Sequence, residues 1–274
     1  MNIIETIKKR KSCRTFNQAE LKPADKRDLE SYISENSKGL ENEVINFRII
    51  EKKYAENQMI LSYGMIKGYN TFILGTSKFS IDSRVNYGYL MEKVVLKATE
   101  MNISTCWVGF FDDTYFNEVS IEKGFEIPSI VTIGYSEDRK SYLDKYIRLS
   151  VSASKRQGWG KMFFNYKMRT PLTTEYVKRY SDSLEMVRLA PSSGNTQPWR
   201  VFFDNTVNEF HFFKKPISKR YELRGLHDID MGIALTHFEL TSLQNGLSGS
   251  WVRHPKENIN SIDDLQYIIT WKCE

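Results

Sequence analysis

Gly88-Tyr-Leu-Met-Glu-Lys-Val-Val-Leu-Lys-Ala-Thr-Glu-Met-Asn-Ile-Ser-Thr-Cys-Trp107-Val108 can be laid on Gly232-Ile-Ala-Leu-Thr-His-Phe-Glu-Leu-Thr-Ser-Leu-Gln-Asn-Gly-Leu-Ser-Gly-Ser-Trp251-Val252 at a constant offset of 232 − 88 = 144. Gly, Leu, Ser, Trp and Val coincide. In the first copy Tyr87, Met91, Val94, Ala98 and Met101 follow one another in steps of 4, 3, 4 and 3. That spacing traces one face of a helix and predicts a long helix ending in a turn. The flanks repeat as well. A helix and β-like runs precede each long helix (Asn46 to Ile50; Trp199 to Phe203), and another run follows it (Ile130 to Gly134; Tyr267 to Trp271). Two α+β lobes, each with an apolar long helix to bury, would pack those helices together as two subunits of a symmetric dimer do. The expected organisation is therefore one unit over 1–274, with repeats at approximately 24–136 and 176–272.

Between the repeats runs a connector, Glu137 to Glu175, with nine Lys/Arg against four Asp/Glu. Its balance of 9 − 4 = +5 equals the whole chain's, 39 − 34 = +5 over 274 residues. Something anionic is expected against it, although a solvated crossover has the same composition. A short helix, Ile3 to Lys9, is expected before the first repeat.

Hydrophobic residues at 41% and charged ones at 27% are ordinary for a globular chain and exclude disorder, collagen-like repeats and coiled coil. No apolar run approaches the roughly 18 to 20 residues that span a bilayer, so no membrane association is expected. Cys13, Cys106 and Cys273 form no CxxC pair, and Met1 to Ser12 does not read as a secretory leader. A cytoplasmic protein is expected. His211, His227, His237 and His254 lack zinc-site spacing, so no metal site is expected, and His237 reads as half-buried on a helix. The chain has no GxGxxG, GxxxxGK[ST] or GxSxG turn. An enzyme with none of these would take its chemistry from a cofactor.

Two segments carry candidate chemistry. Lys8-Lys-Arg-Lys-Ser-Cys-Arg14 gathers five cations and a hydroxyl in seven residues. Arg10 and Arg14 offer planar forks and Ser12 a hydroxyl, a set suited to a phosphate, while a solvated basic face or a nucleic-acid patch would look similar. In Leu189-Ala-Pro-Ser-Ser-Gly-Asn-Thr-Gln-Pro-Trp199, Pro191 stops a helix, Gly194 permits an unusual backbone angle, and Ser192, Ser193, Asn195 and Gln197 crowd short polar groups into one loop. Such a loop can grip a polar ring edge or serve as a well-bonded turn.

These two segments together resemble the flavin-dependent nitroreductase family. Asn102 to Gly109 is similar to that family's third segment, and Gly158 to Phe164 with Thr170-Pro-Leu172 to its connector, so the resemblance extends over most of the chain. It is nearest to the single-chain branch whose halves mimic the usual homodimer. The resemblance implies a nitroreductase-like α+β fold, three-layer α/β/α, with two fused homologous lobes forming an intrachain pseudo-dimer around one FMN. Arg10, Lys11, Ser12 and Arg14 would take the phosphate and ribityl end. Pro191, Ser192, Ser193, Asn195 and Gln197 would meet the ring and ribityl chain. Trp107, Val108 and Gly109 would offer backbone contacts near N5, and Lys155 and Arg156 would add charge at the phosphate.

The family often has Pro two residues after its second phosphate-binding Arg, whereas Gln157 and Gly158 follow Arg156 here. The first half reads Asn36-Ser-Lys-Gly-Leu40 where the second has its polar loop, and the second has no counterpart of Arg10 to Arg14. One site rather than two is expected. Phe163 and Phe164 are expected to pack between lobes, and Cys13 to be a bystander.

The implied activity is hydride transfer from NAD(P)H through FMN to a nitroaromatic, quinone or similar small acceptor, with no catalytic side chain required. Flavin binding without turnover, or flavin fragmentation, dehalogenation or azoline oxidation on the same fold, are alternatives. A nucleic-acid partner is disfavoured by the mixed charge, and both monomer and homodimer remain open.

Overall fold

The computed structural model describes residues 2–52, 65–137, 155–255, 259 and 261–274. Five helices organise it: α1 (Ile3–Lys9), α2 (Pro23–Glu35), α3 (Ile81–Glu100), α4 (Ser181–Leu189) and α5 (Leu226–Gln244). Local sequence sets their ends. The Asn2 side chain accepts from the Glu5 N–H to start α1, Ser80 accepts from the Ser83 N–H to start α3, and Pro191 stands just past the end of α4.

The strands are β1 (Arg48–Glu51), β2 (Thr71–Leu74), β3 (Ser77–Lys78), β4 (Ser104–Val108), β5 (Phe125–Glu126), β6 (Ile130–Gly134), β7 (Phe163–Asn165), β8 (Trp199–Asp204), β9 (Glu209–Lys214), β10 (Gly249–Val252) and β11 (Gln266–Cys273). One sheet has the order β1-β2-β6-β4, a second β10-β11-β9-β8-β7, and the short β3 and β5 pair as a two-stranded ribbon. Read from β8, the second sheet runs β8-β9-β11-β10, which is the first sheet's order element for element. β7 is an extra strand lying parallel beside β8. Apart from the two-residue strands β3 and β5 in the first half, each half thus runs helix, two strands, long helix, two strands. The turn expected after the first long helix leads directly into strand β4.

The long helices α3 and α5 pack against each other and join both sheets in one core. Ile73, Val131 and Ile133 of the first sheet and Val201, Phe210, Phe212 and Trp271 of the second all belong to it. Phe72, Leu74 and Val108 bury the first sheet's other face with Phe116 of the helical turn Asp113–Phe116, so that sheet lies between helical elements. Phe163 is fully buried and Phe164 stacks on Phe202 with centroids 5.1 Å apart. Because β7 joins the second lobe's sheet, Phe164 packs within that lobe and not between lobes, whereas Phe163 belongs to the core that both lobes share.

The two helices cross at the repeated glycines. A Cβ on Gly88 would lie 2.2 Å from the Ile229 carbonyl oxygen, and one on Gly232 would lie 2.0 Å from that of Val85. The relation is reciprocal at the repeat's own offset, since 88 + 144 = 232 and 85 + 144 = 229. An isologous dimer contact has this form, here within one chain. The Thr236 hydroxyl donates across the seam to the Tyr89 carbonyl at 2.6 Å.

His237 is fully buried, not half-buried. It donates from Nδ1 to the Met186 carbonyl at 2.9 Å, and its Nε2 meets Oε1 of the equally buried Glu92 at 3.0 Å. The Trp107 indole N–H donates to the other oxygen of Glu92 at 2.8 Å.

Gly232→Ala forces a methyl into backbone and is expected to cost about 2 to 3 kcal/mol, read from urea unfolding. Gly158→Ala, whose Cβ would meet nothing within 4 Å, is expected to change stability by less than about 0.5 kcal/mol.

Candidate functional site

The segment after α1 is extended and alternates. Ser12 pairs in parallel with Thr105, and the Cys13 N–H donates to the Thr105 carbonyl at 2.9 Å, so this segment runs along the outer edge of β4. Alternation turns Ser12 and Arg14 one way and Cys13 the other, into the first lobe's core. Lys11 is exposed and lies away from the cleft. Thr105 presents its backbone to the outer edge, and the same period carries Trp107 and Gly109 to that edge. Val108 points its side chain into the core and its backbone towards β6.

Opposite this edge stands the loop from Pro191 to Gln197. Gly194 has φ 57°, and a Cβ there would lie 2.5 Å from the Tyr221 hydroxyl, so glycine is required twice over. The Ser192 hydroxyl accepts from the Gln197 N–H at 2.9 Å. Asn195 and Gln197 face the connector. Asn195 Oδ1 accepts from Arg156 at 2.7 Å, its amide donates to the Lys155 carbonyl at 2.7 Å, and Gln197 Oε1 accepts from the Gln157 N–H at 2.8 Å. These two side chains hold residues 155–157 against the loop. Residues 138–154 of the basic connector lie outside the described residues.

Between edge and loop lies a cleft of about 220 Å³. Trp107 and Gly109 line it from the first lobe, Ser12 and Arg14 from the segment that runs along that lobe's edge, and Pro191, Ser192 and Ser193 from the second lobe. The sequence-expected residues Arg10, Lys11, Val108, Lys155, Arg156, Asn195 and Gln197 are not among its lining. Arg10 and Arg156 are nevertheless close to one another. Burial, then the positive charges of Arg10 and Arg188, push the Arg156 guanidinium down to about 10. Its described bonds go to neutral acceptors, Asn195 Oδ1 and the Leu189 carbonyl. The clustering of cations creates a positive pole beside the loop.

Several lining residues were not expected from the sequence: Phe110, Tyr221, and Leu226, Ile229, Asp230 and Ile233 on α5. Asp230 is the chemically distinctive one. The Ser193 N–H and hydroxyl donate to its Oδ1 at 2.9 and 3.2 Å. Burial pushes its carboxyl well above the usual carboxylate range, and the charge of Asp228 adds to the effect, against the opposing Ser193 bonds. The repeat carries the missed signal: at offset 144, Asp230 corresponds to Asn86, two residues before the paired glycines.

Residues 2–242 match the family model described as "Putative TM nitroreductase". The chain belongs to this nitroreductase family. A solved "putative nitroreductase" from Thermotoga maritima is 20% identical, with 100% of this chain and 93% of that chain covered and a TM-score of 0.62. The shared nitroreductase fold thus extends over both lobes. Nitroreductases with bound FMN from Bacteroides fragilis and Desulfitobacterium hafniense are 15% and 16% identical. They cover 52% and 51% of this chain and 91% and 92% of their own, with TM-scores of 0.42 and 0.41. No curated protein matches the chain at a significant level. Among the described residues of this nitroreductase-family chain, no helix is long and apolar enough to cross a membrane.

The raised Asp230 carboxyl has a definite linkage sign. The unfolded chain releases this proton near the ordinary carboxylate value and the folded chain retains it, so stability falls as pH rises from there towards the folded value. Asp230→Asn keeps an acceptor for Ser193 and cannot ionise. It is expected to raise the neutral-pH Tm by roughly 2 °C or more, with the gain disappearing below about pH 4, as read by thermal scans across pH.

Proposed function

We propose that this nitroreductase-family chain is an FMN-dependent oxidoreductase that passes hydride from NAD(P)H to a small acceptor such as a nitroaromatic or a quinone. The supporting observation is the inter-lobe cleft. It sets Ser12 and Arg14 and the outer edge of β4 against the loop at Pro191, with the cations Arg10 and Arg156 nearby. When bound, FMN supplies hydride acceptance and donation at N5.

The chain's own groups suit the two chemically different ends of that cofactor. Arg10, Arg14 and Arg156, with the Ser12 hydroxyl, are the donors for the phosphate. Guanidinium forks bond phosphate oxygens with two parallel N–H donors, and an anion among like charges relieves their repulsion. Lys155, exposed beside this pole, adds long-range attraction, and Lys11 contributes charge only. Backbone N–H groups of Trp107 and Gly109 are preorganised donors at a sheet edge, suited to holding a ring heteroatom as negative charge develops on it. Ser192 and Ser193 offer hydroxyls from the opposite wall, and Pro191 a flat apolar surface.

Leu226, Ile229 and Ile233 make one wall apolar, which excludes water from a planar ring and leaves room for a flat acceptor. The lobes, proposed at 24–136 and 176–272, each supply one wall, so a single chain completes one site. Cys13, Cys106 and Cys273 are buried and form no disulfide among the described residues, which suits a reducing, cytoplasmic setting.

Protein incubated with FMN and desalted is expected to retain close to one FMN per chain, counted from its absorbance spectrum. NADH or NADPH under anaerobic conditions is expected to bleach that spectrum, and a nitroaromatic or quinone to restore it. Retention of flavin without bleaching by either nucleotide would reduce the function to flavin binding. The double variant Arg10→Ala/Arg14→Ala is expected to weaken FMN binding about 100-fold, the loss of two charge-assisted hydrogen bonds. Full affinity in that variant would overturn the phosphate assignment.

A further inference from the structure

Asp230 Oδ2 is buried and has no hydrogen-bond partner among the described residues, although Oδ1 of the same carboxyl is bonded to Ser193. Buried polar oxygens are seldom left this way. The chain contains its own control for this position. Asn86, at the equivalent place on α3 (86 + 144 = 230), accepts from the Leu40 N–H at 2.8 Å, as Asp230 accepts from the Ser193 N–H. Both are buried helix side chains that hold a loop by its backbone.

They differ at the second atom. The Asn86 amide nitrogen donates to the carbonyl and carboxylate oxygens of Glu43 at 3.3 and 3.2 Å, and is satisfied. The surroundings differ in the same sense. Gly109 lines the cleft near Asp230, whereas its equivalent is Arg253 (109 + 144 = 253). The Arg253 guanidinium bonds Glu41 at 3.2 Å and Asp82 at 2.9 Å. The first-lobe counterpart is closed by the chain's own side chains, and there every polar atom of the paired amide has a partner. The second-lobe position faces a cleft, and there one oxygen lacks a partner.

We propose that Asp230 is a ligand-binding residue of the cleft, donating a hydrogen bond from Oδ2 to an acceptor heteroatom of a planar heteroaromatic ring seated against α5. The proposal deepens the flavin reading and rests on it, with the flavin ring as that heteroaromatic. The direction of donation follows from the surroundings. Oδ1 already accepts twice, and Leu226, Ile229 and Ile233 are apolar neighbours. The titratable or charged groups around it are Asp228 on its own helix, Tyr221 from the short helix Lys219–Leu223, and Cys106 and Arg14 across the cleft. Burial and Asp228 both favour the neutral acid, which carries its proton on the oxygen that Ser193 does not bond. An un-ionised carboxyl also avoids a negative charge beside a ring that becomes electron-rich on reduction.

The test is titration of the full chain with FMN, comparing wild type, Asp230→Asn and Asp230→Leu by flavin fluorescence and absorbance. Asp230→Asn keeps an N–H donor, and Asp230→Leu removes it. The expected results are about a tenfold loss of affinity for Asp230→Leu, recovery to within about threefold for Asp230→Asn, and a shifted flavin absorption band in both variants. A purely structural role in holding Ser193 would leave the band of bound flavin where it is in wild type.

Wild-type affinity and spectrum in Asp230→Leu, or equal losses in both variants, would overturn the proposal while leaving FMN binding intact. If Asp230→Leu does not fold, Asp230→Asn decides: a shifted band with near-wild-type affinity supports the proposal, and an unchanged band overturns it. No FMN binding by folded wild type would overturn the flavin reading and this proposal together.

Discussion

Backbone-to-backbone contact between the two long helices sets the geometry of the molecule. Glycine in the middle of a helix costs about 1 kcal/mol relative to alanine, and the chain spends two of them at Gly88 and Gly232. In return the helices approach so closely that no Cβ fits between them. Close approach removes water from the seam and lets Thr236 bond directly to the Tyr89 carbonyl. It also fixes the distance between the outer edge of β4 in the first half and the Pro191 loop in the second. Those two elements are the walls of the cleft, so its width follows from how the helices are packed.

Duplication would by itself give two clefts, one on each side of the helix pair. Local substitutions at equivalent positions make them unequal. Where the open side has Gly109, the other has Arg253 bonded to Glu41 and Asp82. Where the open side has Asp230 with an unbonded oxygen, the other has a fully bonded Asn86. Ser12 and Arg14 precede the first half and have no counterpart before the second. A fused chain can diverge in this way because its two halves are encoded separately, whereas a homodimer changes both sites at once.

Much of this was legible in the sequence because periodicity reports burial. The four β-like runs fell on β1, β6, β8 and β11, and the first short helix fell on α1. The apolar face of the long helix was correctly placed, but the apolar residues alone did not show that its other face is buried too. The middle strands β2 and β9 were not singled out, although turn residues flank both, Asn70 and Gly75 around β2 and Asp204 to Asn208 before β9. Residue types drew attention to Arg10, Ser12, Arg14 and the Pro191 loop, and alternation then divided them. Ser12 and Arg14 reach the cleft, and Lys11 does not. Asn195 and Gln197 were conspicuous for their polarity, yet that polarity is directed at Lys155, Arg156 and Gln157. A side chain's hydrogen-bonding capacity does not reveal which partner it meets. Asp230 was missed for the opposite reason, as one of three carboxylates on a largely apolar helix, and only its pairing with Asn86 at the repeat offset marks it out.

The interior of the seam also bears on the cleft. Glu92 of the first half holds His237 of the second through one oxygen and Trp107 through the other. His237 in turn donates to the Met186 carbonyl of α4, the helix that leads into the Pro191 loop. One buried chain of hydrogen bonds therefore runs from a first-lobe residue lining the cleft, across the paired helices, to the helix that presents the opposite wall. Glu92 and His237 are fully buried, so loss of their partners would leave a buried acid or imidazole without its bond, a cost of about 1 to 3 kcal/mol for each group. The same constraint that docks the halves thus orients Trp107, and the cleft is built to keep its shape before any ligand arrives.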